Sequence, residues 1–283
     1  MQNLRPINVI KASGTTEPYS EEKVIRSLAS SGLSLDTTSR AVDHLRHHLK
    51  PGISTDAIYG HLFSFLHQNA PVNNYFNYGL KRAVMAMGPS GFPFEILFSD
   101  ILKMDGYRTE VGVVTQGKCV THEVDVIALK KEEKNYIECK FHNNPGHKTD
   151  IQVALYTHSR FLDIDNAQGG TNNPVKNHSW LVTNTKVTSD VESYCNCVGQ
   201  KVTTWTYPKG KSLQDMIVSS GLHPVTLLSE VPKNKIKFLL DLGIVTCSRL
   251  KTAILNNQTH DLLDENEKSL ILKNIASICK DNG

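Results

Sequence analysis

The 283-residue sequence predicts a mixed α/β protein in three segments: a small, mainly helical unit over 1–88, a mixed sheet flanked by helices over 89–220, and a short helical segment over 221–283. Three observations lead there. Apolar residues recur at helical spacing from Ser20 to Met87, the pattern changes to strand-like alternation after Gly106, and short helical runs return after Leu222.

The first element is the apolar stretch Ile7 to Ile10, closed by a turn at Ser13-Gly14. Ser20 suits an N-cap, because its hydroxyl can accept a free amide of the first turn, where Glu21 and Glu22 also favour the helix dipole. Val24, Ile25 and Leu28 give this helix its buried face. Asp36 is expected to cap a second helix carrying Val42, Leu45 and Leu49, ended by Pro51-Gly52. A third starts at Ser54 or Thr55 with Ile58, Leu62 and Leu66 on one side, and a fourth runs from about Asn74 to Met87. The break Gly88-Pro89-Ser90-Gly91 marks a domain boundary. Pro93 then opens a helix with Phe94, Leu97, Phe98, Ile101 and Leu102, which ends at Gly106. Strands are expected over 107–114, 120–129 and 136–141, followed by a helix over 149–162, a strand over 180–183, a helix over 190–197 and a strand over 201–207. The last segment reads as helices over 225–228, 234–242, 247–256 and 265–279. Leu239 to Leu250 forms a helix, a glycine turn and another helix, a shape that can hold a DNA backbone or serve packing and dimerisation.

Composition narrows the function. Thirty-one Lys and Arg against 28 Asp and Glu leave a net charge of +3, and the middle segment has no basic excess. Non-specific nucleic-acid affinity comes chiefly from phosphate neutralisation, so any such role must rest on local sites. No apolar run approaches the ~20 residues a membrane helix needs, and no apolar leader follows Met1 to Pro6. A soluble cytoplasmic protein is expected. The six cysteines are too scattered for a disulfide scaffold, and Cys195-x-Cys197 lacks the second pair a zinc site would use, so buried reduced thiols are expected.

The chemistry concentrates in His122-Glu123-Val124-Asp125-Val126-Ile127 and Tyr136-Ile137-Glu138-Cys139-Lys140. Alternation along a strand puts Glu138 and Lys140 on one face, and a hairpin can bring Asp125 opposite them. Carboxylates amid Val, Ile and Leu are costly unless compensated, and a divalent cation held through hard oxygens compensates them. Lys140 beside it could orient the attacking water and stabilise phosphate charge. A structural salt bridge between Lys140 and one acid is the other reading of the same spacing.

Asp125, twelve intervening residues and then Glu138-Cys139-Lys140 resemble the PD-(D/E)xK nuclease signature of the Mrr-like restriction endonuclease branch. Phe94-Glu95 on the preceding helix and Gln152 with Tyr156 on the following one extend the resemblance over roughly 90–215, with Val124 where the signature usually has proline. It implies a restriction-endonuclease-like sheet and a DNA endonuclease needing Mg²⁺ or Mn²⁺. Asp125, Glu138 and Glu95 would hold the metal, Lys140 would be catalytic, and Gln152 would lie beside them.

Val9-Ile10-Lys11, Gly14, Glu17-Pro18-Tyr19, Glu22-Lys23-Val24 and Gly52-Ile53-Ser54-Thr55 resemble an ATP-cone, a nucleotide-sensing module, across 7–88. That resemblance implies ATP or dATP as a regulatory ligand, with Lys11 and Lys23 on the phosphates and Glu17, Ser20 and Thr55 along the pocket. The expected partners are thus DNA, an adenine nucleotide and further copies of the chain in a homo-oligomer, with no membrane. Two other functions fit less of the pattern: a nucleotide-responsive DNA-binding protein with an inactive nuclease fold, and a structural RNA-associated or defence-complex subunit. Three motifs are set aside. Gly210-Lys211-Ser212 ends like a phosphate loop, but Trp205 stands where its first glycine belongs. His44, His47 and His48 alternate with Arg46 and Lys50 and read as a solvated face. His142 and His147 read as loop residues able to touch substrate.

Overall fold

A computed structural model describes residues 7–169, 175–259 and 262–278. Two units form, one chiefly residues 1–82 and the other chiefly 83–275. Among the described residues no helix is long and apolar enough to cross a membrane.

The first unit opens with strands β1 (Asn8–Ile10) and β2 (Thr16–Pro18), followed by helices α1 (Glu21–Ala29) and α2 (Leu35–Arg46). Strand β3 (Ile53–Ser54) leads into α3 (Thr55–Asn69), and α4 (Val72–Met85) follows. The sheet order is β2-β1-β3, with β1 antiparallel to β2 and parallel to β3. Ser20 and Ser54 cap their helices as expected, accepting the Lys23 and Ala57 amides at 3.3 and 3.0 Å. The cap of α2 is Ser34, not Asp36: its extended backbone turns the hydroxyl back to the Thr37 amide at 3.2 Å. Leu28, Leu45, Leu62 and Leu66 are fully buried and form the centre of this core. Each contributes about 2 kcal/mol through the apolar area it removes from water.

In the second unit α5 (Phe92–Met104) precedes β4 (Arg108–Gln116), β5 (Thr121–Lys130) and β6 (Glu133–Lys140). Then come β7 (Lys148–Thr149), α6 (Ile151–Ala167), β8 (Lys176–Thr183), β9 (Lys186–Val187), α7 (Ser189–Val198), β10 (Lys201–Thr203) and α8 (Leu213–Ser220). The five-stranded sheet has the order β10-β8-β6-β5-β4, parallel from β10 to β6 and antiparallel from β6 to β4. Strand β6 starts earlier than its apolar residues suggest, because Lys131 adopts a positive φ of 54° and lets Lys131-Glu132 close the hairpin. Strand β10 stops at Thr203, since the Thr204 amide turns to the Tyr207 carbonyl. Helix α8 was not anticipated. Ser212 and Asp215 start it as a reciprocal capping box, which is the structural use of the Gly210-Lys211-Ser212 sequence.

A 3₁₀ turn (Val225–Leu227), α9 (Lys233–Asp241), α10 (Cys247–Leu255) and α11 (Glu265–Ile278) follow. These elements belong chiefly to the same unit as the sheet, where a separate segment was expected after residue 220. The reason is visible in the hairpin between α9 and α10. Its Gly243 lies so close to α5 that an added Cβ would stand 3.4 Å from Ile96, and Arg249 forks onto the buried Asp100 with Nη2 donating to Oδ1 at 2.7 Å. The hairpin turn is therefore packed on α5. Of the thiols, Cys139, Cys195 and Cys247 are buried as expected, whereas Cys119 and Cys197 are exposed.

Candidate active site

The ladder between β5 and β6 runs from Lys130↔Glu133 to Val126↔Ile137 and ends there. Beyond it the Cys139 amide donates to the Asp125 carboxylate at 2.7 Å, while Glu138 and Lys140 continue their register against Leu181 and Thr183 of β8. The two strands thus part at the acidic residues, and a side chain takes over a hydrogen bond that a strand carbonyl would otherwise make. Helix α5 packs its apolar side nearby, with Phe94 5.7 Å from Phe141 and Phe98 edge-on to Trp180 at 5.3 Å. Its first turn carries Glu95.

The carboxylates are electrostatically coupled. Glu95 is pushed up to about 7, first by burial and then by repulsion from Asp125, Glu123 and Glu138. Asp125 is pushed up to about 6 by burial and by Glu138, against the opposing pull of the Cys139 amide and Arg160. Glu138 is engaged differently: Tyr156 donates to one oxygen at 2.6 Å and Arg160 to the other at 2.5 Å. Arg160 escaped the sequence reading, although Gln152, Tyr156 and Arg160 at i, i+4 and i+8 share one side of α6. Gln152 itself is exposed in the first turn of α6.

The salt bridge foreseen as the alternative for Lys140 does not form. Glu138 takes Arg160 instead, and among the described residues Lys140 has no ion-pair partner. The three expected metal ligands do not close on a common point either: among the described residues, the group of three whose ligand atoms all lie within 4.8 Å of one another is His44, His48 and His61. Glu95 and Asp125 suit a divalent cation by their hard oxygens and their mutual repulsion, while each oxygen of Glu138 is already engaged, one by Tyr156 and one by Arg160. The rings of His142 and His147 lie 4.5 Å apart, tilted by 40°. His142 is held in the loop by Thr149 at 2.8 Å and by Asn184, and burial and its cationic neighbours lower it to about 4, which keeps the ring neutral at pH 7.

The raised acids set a pH dependence. Glu95 and Asp125 hold their protons in the folded chain above the ordinary carboxylate range, so folding binds protons between about pH 4 and pH 7 and stability falls as pH rises through that window. Unfolding free energy is expected to drop by on the order of 3 kcal/mol for the coupled pair from pH 4 to pH 8. Urea melts across this range should show the drop reduced in Glu95→Gln.

In the first unit the sheet register gathers part of the other candidate set. Glu17, opposite Val9, takes Lys11 at 2.8 Å and Lys23 at 3.1 Å, and these two lysines lower its carboxyl below the usual range. Thr55 follows Ser54, which pairs with Ile10 at the same end of β1 as Lys11. Ser20 lies past Pro18, which pairs with Asn8 at the other end, and its hydroxyl is committed to the α1 cap. The structure therefore brings Lys11, Glu17 and Lys23 together and separates Ser20 from Thr55.

These features define a mixed α/β protein with half-buried, mutually repelling acids where two strands of its main sheet diverge. No family model matches the chain. An uncharacterized protein of Archaeoglobus fulgidus is 37% identical over 153 residues, covering 54% of this chain and 83% of that protein. The chain belongs to the same family as that protein. The crystal structure of a protein of unknown function, AF1548, is similar with a TM-score of 0.56 and 30% sequence identity, over 67% of this chain and 98% of that one.

Proposed function

We propose that the protein is a Mg²⁺- or Mn²⁺-dependent DNA endonuclease whose activity is tuned by ATP or dATP at the first unit. The observation that carries this reading is the mutual repulsion of Glu95, Asp125 and Glu138 at the point where β5 and β6 part, with Lys140, which has no ion-pair partner among the described residues, two positions after Glu138 on the same strand. Asp125 and Glu95 would hold the ion, with Glu138 joining them as Arg160 yields. A divalent ion there supplies Lewis-acid polarisation of a phosphoryl oxygen and a more acidic bound water. Lys140 would set a positive charge where the phosphate gains negative charge, and Tyr156 would keep hold of one Glu138 oxygen while Arg160 gives up the other. The test is nicking of supercoiled plasmid by the purified chain with Mg²⁺ or Mn²⁺, with and without ATP or dATP. Absence of cutting on every DNA form under all these conditions sinks the proposal.

A second reading has its own support. Because both oxygens of Glu138 are already engaged by Tyr156 and Arg160, the site is also compatible with a nucleotide-responsive DNA-binding protein that does not cleave. Calorimetry separates the two, since a pure binder keeps its DNA affinity in EDTA and in Glu138→Ala.

For the nucleotide, Lys11 and Lys23 would turn from Glu17 to the phosphates. Losing one charge-assisted hydrogen bond weakens binding by roughly tenfold. Lys23→Met is expected to lose about that much ATP affinity by calorimetry, and Glu17→Gln, which frees both lysines, to gain. Regulation then requires that ATP bind two states of the protein unequally. If neither substitution changes ATP binding, the nucleotide part of the proposal fails on its own.

A further inference from the structure

The surface of the first unit read as solvated from sequence holds a more organised feature. His44 in α2, His48 just beyond its end, and His61 in α3 bring their ring nitrogens within 4.8 Å of one another. Ring centroids are 4.5 Å apart for His44 and His48 and 4.2 Å for His48 and His61. The rings are not free rotors. His44 is stacked on Phe65 at 5.1 Å, and His48 Nδ1 faces the His44 carbonyl at 2.8 Å. A carbonyl only accepts, so Nδ1 carries the proton and Nε2 of a neutral His48 presents its lone pair. His47 belongs elsewhere, with its Nδ1 on the Asp43 carbonyl at 2.7 Å.

We propose that His44, His48 and His61 form a binding site for Zn²⁺, closed on three sides by imidazoles and open on the fourth to water. The donor set decides the class of ion: three borderline nitrogens with no carboxylate among them favour Zn²⁺ and its transition-metal neighbours over Mg²⁺ or Ca²⁺. Tetrahedral ligands at the usual Zn–N distance lie about 3.3 Å apart, so side-chain rotations within the observed 4.8 Å spacing suffice. Because the ligands come from two helices of the same core, the ion would tie α2 to α3.

The experiment uses the full-length chain, free of any polyhistidine tag and stripped with chelator. Co²⁺ serves as the spectroscopic probe and Zn²⁺ as its competitor. One equivalent of Co²⁺ should give the intense visible bands of a four-coordinate site, without the near-ultraviolet charge-transfer band of a thiolate. Zn²⁺ should displace it, and millimolar Mg²⁺ should not. Zn²⁺ should also raise the Tm of the parent by several degrees. His61→Gln and His48→Gln, each checked for fold by circular dichroism, should lose the bands and the Tm rise. Either folded variant binding as tightly as the parent overturns the assignment, as does a thiolate band, which would point to the cysteines, or the absence of any Co²⁺ bands from the parent.

Discussion

Asp125→Asn is expected to lower the nicking rate on the order of 10³-fold, and Lys140→Met by roughly 10²–10³-fold, with neither variant losing its fold. The two losses have different origins. Asp125 would supply a hard oxygen to the proposed ion from a cluster whose members repel one another, so removing its charge would weaken cation binding and relieve Glu95 at once. Asp125→Asn should therefore be more stable than the parent by about 1–2 kcal/mol at pH 8, and no more stable at pH 4, where the acid is already protonated. Lys140→Met keeps the stem length but removes a charge that has no ion-pair partner among the described residues, so it should leave stability nearly unchanged. Plasmid nicking and urea melts on both variants read the two effects separately. A variant that cuts as well as the parent would show that these residues do not serve the reaction.

Arg249→Ala is expected to destabilise the second unit by about 2 kcal/mol. Its guanidinium forks onto Asp100 of α5, whose side chain is only 11% exposed. Truncation leaves that carboxylate desolvated with Lys103, at 3.2 Å, as its remaining cation among the described residues. Breaking a fully buried pair costs about 3–5 kcal/mol, and the partly exposed Arg249 brings the figure down. Tm should fall by roughly 4–8 °C. Adding Asp100→Asn should restore part of the loss, because it removes the stranded charge. A single variant as stable as the parent would mean that the helices after residue 221 do not depend on this link to α5.

Much of the fold was legible because local chemistry and tertiary structure agree. Ser20 and Ser54 cap helices where their hydroxyls can reach the third amide, Pro93 stands in the first turn of α5, and the alternating runs after Gly106 became β4, β5 and β6. Apart from α8, what was missed is short. The two- or three-residue strands β2, β3, β7 and β9 have too few residues to show any period, and each exists only because a partner supplies its hydrogen bonds. Ser34 and Asp36 are both good caps by composition, and the backbone angle at Ser34 chose between them. The grouping of histidines was hidden for a related reason: the spacing of His44 and His48 against Arg46 and Lys50 says solvent, and His61, which completes the group, arrives from another helix.

The sequence by itself determined the order of elements and the strand positions of Asp125, Glu138 and Lys140, because hydrogen-bonding period and side-chain alternation are local properties. The tertiary structure decided which charges meet. Arg160, two turns into α6, took the Glu138 carboxylate that Lys140 was free to claim, and Glu95 came within the field of Asp125 from a separate helix. Coulomb interactions in a partly dry interior depend on distances of a few ångströms between groups far apart in the chain, and packing alone sets those distances.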